Sequence, residues 1–167
     1  KKPVNYVLPP NIQREQALGQ QTNQFVQQNE QALSMTVCNL KDCRTKALFK
    51  NINLDFRRYK KMKMFIHANR VDGALPVHDD EVVAIIRLGS DFKDNYYQYE
   101  VPLKITPDGT YSNNSEDERA LVWPDANSVE IDLSAFIDLK LKRNNTDGFP
   151  HNAPFVATDA KGRRISI

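Results

Sequence analysis

Three segments near the middle of the chain alternate apolar and polar positions with a period of two, each bounded by turn residues. RRYKKMKMFIHAN (57–69) sets Lys60, Met62, Met64, Ile66 and Ala68 on one face, and Lys61, Lys63, Phe65 and His67 on the other. DNYYQYEVPLK (94–104) sets Tyr97, Tyr99, Val101 and Leu103 against Tyr96, Gln98 and Glu100. Between them DDEVVAIIRLGS (79–90) is almost unbrokenly apolar from Val82 to Ile86. Alternation at strand length with β-branched and aromatic residues predicts a sheet. The unbroken run predicts a central strand covered on both faces. The expected core is therefore Met64, Ile66, Val82, Val83, Ile85, Ile86, Val101 and Leu103.

The same reading extended along the chain predicts strands near 34–40, 44–51, 59–69, 80–89, 95–104, 118–123 and 128–133, with a closing hairpin of 153–158 and 162–167. Lys41-Asp42, Asp72-Gly73, Pro107-Asp108-Gly109, Pro124-Asp125 and Asp159 to Gly162 supply turn chemistry between them. Ser134 reads as the N-cap of a short helix near 135–143, with Phe136, Ile137 and Leu141 on its apolar side. The expected fold is mainly β: a two-layer β-sandwich of jelly-roll type with that one short helix. Residues 1–33 are expected to form an extended, Gln-rich N-terminal segment with at most a helical turn or two, and 34–167 the sandwich domain.

Composition narrows the class without naming a function. The chain has 167 residues, 40% hydrophobic and 26% charged, which suits one folded domain rather than disorder. Its net charge of +2 does not point to nucleic acid. No apolar run reaches the roughly 20 residues of a membrane helix. The sequence stops at RRISI inside an expected strand, so it reads as a piece of a longer protein.

Candidate chemistry is sparse. No nucleophile elbow, phosphate loop or zinc-protease motif occurs, and no catalytic residue, metal site or cofactor is expected. The acidic runs Asp79-Asp80-Glu81 and Asp91 to Asp94 lack the spacing of a calcium loop. Arg57, Arg58, Lys60, Lys61 and Lys63 form the densest basic cluster, and Tyr96 and Trp123 are the aromatic platforms that a binding surface would use. Strand alternation divides those charges between two faces, which favours a lysine-guarded strand over a nucleic-acid surface. Cys38 and Cys43 flank an expected turn at 39–42. Two readings stand for them: a cross-strand disulfide, or two free thiols in a hairpin.

Several stretches carry a family likeness: NYVLPPNIQRE (5–15), NEQALSMTV (29–37), RRYKKMKMFIHAN (57–69), EVVAIIRLGSDFKDNYYQYEVPL (81–103) and VWPDANSVEIDLSAFIDLKLKRN (122–144). Together they resemble the SprA (Sov) family, very large outer-membrane translocons of the type IX secretion system linked to gliding motility in Bacteroidetes. The resemblance implies a non-enzymatic structural or gating domain that does not itself span the membrane, on the extracellular or periplasmic side. Its implied partners are the rest of the translocon barrel, accessory subunits and secreted cargo proteins, with no nucleic acid. The competing expectation, from Tyr96 and Trp123 as sugar platforms, is a carbohydrate-binding module of a bacterial cell-surface protein.

Overall fold

The computed structural model describes residues 3–13, 16–18, 25–27, 32–91, 93–150 and 152–167. Its strands are β1 (Gln16–Leu18), β2 (Phe25–Gln27), β3 (Lys61–Met64), β4 (Val83–Gly89), β5 (Tyr96–Pro102), β6 (Val129–Asp132), β7 (Val156–Thr158) and β8 (Arg164–Ser166). The described residues also include the α-helices α1 (Glu116–Val122) and α2 (Ser134–Asn144). The fold is mainly β, as the alternation predicts.

The main sheet has the order β4-β5-β8-β7, every pair antiparallel. Its inner face carries Ala84 opposite Val101, Ile86 opposite Tyr99 and Leu88 opposite Tyr97, and continues to Ile165 and Ala157. The second layer is the antiparallel ribbon β3-β6 together with α2. Val129 and Ile131 from the ribbon and Phe136 and Leu139 from α2 join Tyr99, Val101, Leu103 and Ile165 in one buried cluster. A side chain of Val or Leu size withdrawn from water in this way contributes about 1.5–3 kcal/mol before entropy is charged against it. Layered packing thus follows from period-two strands meeting a helix whose inward side is Phe136 and Leu139.

Buried polar groups tie the layers together. Asn127, fully buried, accepts from the Lys104 amide (2.7 Å) and donates to the Lys104 carbonyl (2.8 Å), pairing like one more rung of sheet. Arg163, 6% exposed, donates to the carbonyls of Ser128 and Ala126, both at 2.6 Å, and to the Tyr99 hydroxyl at 3.2 Å. The Tyr99 hydroxyl in turn donates to Asp159 (2.7 Å). Desolvation, then the Asp159 contact, raise the Tyr99 pKa above the ordinary tyrosine value. For Asp159 burial pushes upward, but the bonds from Tyr99 and the amides of Arg163 and Lys161 outweigh it and hold the carboxyl low. This network fixes the β7–β8 turn, Asp159 to Gly162, against the start of β6.

Several expectations are corrected. The VVAIIRL run is not a central strand: β4 is at the edge of the main sheet, and Val83 and Ile85 lie on its open face, Ile85 at 39% exposure. Met64 is also exposed, and Ile66, Val82 and Ile86 are only half-buried, whereas Val101 and Leu103 are buried as expected. No strand forms at 34–40 or 44–51; residues 32–55 run without helix or strand, and nearly all their side chains are exposed. Alternation there meets no partner strand, and an unpaired strand has no ladder to stabilise it. Of the strand expected at 118–123, residues 118–122 are helical and Trp123 is the C-cap of α1. Ser115 caps α1 by accepting from the Glu118 amide (3.3 Å), and Glu116, Asp117 and Glu118 fill the first turn, where the helix dipole favours acids. The helix expected at 135–143 is α2, but Leu133 stands at its N-cap, and it is Asp132 that accepts from the Ser134 amide (3.2 Å). Within 11–33 the described residues form the antiparallel β1-β2 pair rather than helical turns; the rest of that tract lies outside the described residues.

Candidate functional site

Residues 3–12 form an extended strap along the loop 109–115 and α1. Val4 makes a parallel bridge with Gly109, whose amide donates to the Pro3 carbonyl (2.9 Å). Asn5 and the Tyr111 backbone exchange two bonds, at 2.8 and 2.7 Å. The Leu8 amide donates to Asn113 (2.7 Å), and the Asn11 amide to Glu116 (3.2 Å). Arg119 then gathers the carbonyls of Leu8 (2.9 Å), Pro9 and Ile12 (3.0 Å), with Glu116 balancing its charge at 3.0 Å. Val4 and Val7 drop into a small second core with Val122, flanked by Tyr111 and Trp123.

Trp123 closes that cleft. Its indole N–H donates to the Val7 carbonyl (2.9 Å), and its ring meets Tyr6, Phe65 and His67 at centroid distances of 6.3, 6.2 and 5.6 Å. The Tyr6 and Phe65 contacts are edge-to-face, which brings the positive ring edge to the negative face of a neighbour, and the His67 ring is tilted. The cluster joins the strap, the end of β3 and α1. His67 has a buried Nε2 with no hydrogen-bond partner, and burial lowers its pKa below the ordinary imidazole value.

The other predicted residues are scattered. Arg57 and Arg58 fall in a 3₁₀ turn (Phe56–Arg58), the side chain of Arg57 lying outside the described residues. Lys60 is exposed, and its carbonyl accepts from the Leu133 amide (2.9 Å). Lys61 and Lys63 share one face of β3 and both reach Glu130, at 3.0 and 3.2 Å. The Glu130 hydrogen bond, then its charge, raise the Lys61 pKa, and the two lysines lower that of Glu130. Part of the basic cluster is thus neutralised within the ribbon. Tyr96 lies on the open face of the main sheet beneath the Arg87 guanidinium, 4.1 Å from the ring centroid. Beyond it Arg87 donates to Gln98 (2.6 Å), Gln98 to Glu100 (2.6 Å) and Arg164 to Glu100 (3.1 Å). Tyr96 and Trp123 therefore sit on different surfaces and do not combine into one sugar platform. Cys38 and Cys43 are both exposed free thiols; Cys43 lies within a turn closed by the Arg44 amide donating to the Lys41 carbonyl (3.1 Å), Cys38 precedes that turn, and no paired strands bring them together.

Asn5 and Arg119 were not singled out by sequence reasoning. The readable signal was the Ser115–Glu118 capping box, which places a helix, and so Arg119, opposite the Pro9-Pro10 segment. Among the described residues no three His, Cys, Asp or Glu side chains gather as a metal site requires. Nor is any helix of theirs long and apolar enough to cross a membrane.

The SprA N-terminal family model, described as motility related/secretion protein, matches residues 1–167. Among curated proteins none matches the chain. A match over every residue, strap and sheet alike, decides the assignment: the chain belongs to the SprA N-terminal family of motility-related and secretion proteins.

Proposed function

We propose that the chain is a non-catalytic structural or gating domain of a giant outer-membrane translocon serving type IX secretion and gliding motility in Bacteroidetes. The observation that carries this reading is the family match over the whole chain. The arrangement of charge agrees with it. Lys61 and Lys63 engage Glu130, Lys104 engages Asp80 and Asp79, and Asp159 engages Tyr99 and its own turn. Ionisable groups paired in this way hold segments together instead of converging on a substrate. In this reading the domain shapes or closes the conduit and offers surfaces to the barrel, accessory subunits and cargo from one side of the outer membrane.

The test is an in-frame deletion of the region corresponding to residues 34–167 in the parent protein. Loss of cargo secretion and of gliding is expected. Normal secretion by the deleted protein, present in the envelope at wild-type level, would overturn the reading.

A further inference from the structure

The strap is held unlike an ordinary continuation of a fold. A chain segment integral to a sheet pairs its backbone mainly with other backbone. Here the backbone bridge at Pro3 and Val4 to Gly109 gives way to side chains of fixed elements, which take the main chain of residues 7–12. Asn113 accepts from the Leu8 amide, Glu116 accepts from the Asn11 amide, and Trp123 donates to the Val7 carbonyl. The Arg119 guanidinium gathers three more carbonyls. Main-chain recognition by side chains, with pockets for alternate residues, is how folded domains hold extended peptides.

The pocket pattern agrees. Val4 and Val7, three residues apart, are buried at 6% and 0% exposure, while Tyr6 between them stays 47% exposed with its ring edge against Trp123. Pro9 and Pro10 follow, and prolines lack the amide hydrogens that would otherwise need partners. The cleft supplies a single guanidinium to the carbonyls clustered there. A Pro-Pro segment also loses little entropy on binding, because its backbone is already extended.

We propose that the cleft between residues 109–115 and α1 is a peptide-recognition site whose resident ligand is the chain's own residues 3–12. It accepts in trans an extended segment of the same chemistry: two β-branched residues three apart, ending in Pro-Pro. The inference goes beyond the secretion reading and does not depend on it, since its test needs only the isolated chain. A tethered strap competes at high effective concentration, so an outside peptide enters once the resident is weakened.

Trp123, the sole tryptophan, reports occupancy directly. In the 167-residue chain, Val7→Asp should release the strap and move Trp123 emission to longer wavelength, while circular dichroism keeps one cooperative melt. Adding a synthetic peptide of residues 1–13 should reverse the emission shift and saturate at one peptide per chain. The same peptide carrying Val7→Asp should bind at least about tenfold more weakly, as should the wild-type peptide to a chain also carrying Arg119→Ala, a loss of about 1.4 kcal/mol. Two results overturn the proposal. One is loss of the cooperative melt in the Val7→Asp chain, since a ligand is separable from the fold that binds it. The other is unchanged emission with peptide up to millimolar concentration.

Discussion

Asn127 offers the sharpest check on how the two layers are joined. It is fully buried, and its amide both accepts from and donates to the Lys104 backbone, at 2.7 and 2.8 Å. Asn127→Ala removes two hydrogen bonds, each worth a net of about 0.5–1.5 kcal/mol. Because it strands an N–H and a carbonyl at Lys104, the cost rises from that net figure to about 1–3 kcal/mol apiece where water cannot reach them. Lys104 is half-exposed, so part of that penalty is recovered, and the expected loss is about 2–4 kcal/mol. For a domain of this size that lowers the melting temperature by roughly 5–15 °C. Asn127→Asp keeps the shape but sets a buried carboxylate oxygen against the Lys104 carbonyl. Burial and that repulsion raise its folded-state pKa, so the folded form binds the proton more tightly than the unfolded one. The added cost is absent below the ordinary aspartate value and grows as pH rises through the raised one. Relative to wild type, Asn127→Asp should therefore recover stability between pH 7 and pH 4, whereas Asn127→Ala should not. Calorimetric melts at three pH values decide it. An Asn127→Ala protein melting within about 2 °C of wild type would refute the idea that this bridge joins the layers.

Further outcomes follow from the same packing. Ile85 faces solvent and lies opposite Glu100, so Ile85→Lys should cost no more than about 1 kcal/mol in a denaturant titration, while Val101→Lys should abolish the folded signal. Because burial holds the His67 pKa low, the unfolded chain binds the proton more readily. Stability should therefore fall as pH drops through about 6.5 and below, and His67→Phe should flatten that part of the melting profile. Both Cys38 and Cys43 should react with a thiol reagent in the native chain at rates close to those in denaturant, giving two equivalents without any lag.

The parts of the fold legible in the sequence were those set by near neighbours. The β4-β5 hairpin, the β7-β8 hairpin over Asp159 to Gly162 and helix α2 all came from local alternation, turn residues and helical spacing. What failed depended on distant partners. Ile85 and Val83 read as core because five apolar residues run together, yet edge or centre is decided by whether a neighbouring strand and a covering layer exist. Residues 34–51 show the same alternation as β5 but meet no second strand among the described residues. Residues 118–123 were misread because apolar Ala120 to Trp123 outweighed the capping signal of Ser115 and Glu118. The cleft was illegible for a related reason: Arg119 lies more than a hundred positions from the carbonyls it holds. Only Trp123 was marked in advance, and the role it takes is to clamp the strap rather than to stack on a sugar.

Residues 32–55 lie between the strap and the main sheet in sequence, outside every strand and helix. Lys41, Arg44, Lys46 and Lys50 stand exposed along this stretch, an open invitation to trypsin. A single nick there would sever the covalent path while leaving Arg119 and Trp123 gripping the amino-terminal piece. The two halves should then travel through a sizing column as one particle and part only on denaturation.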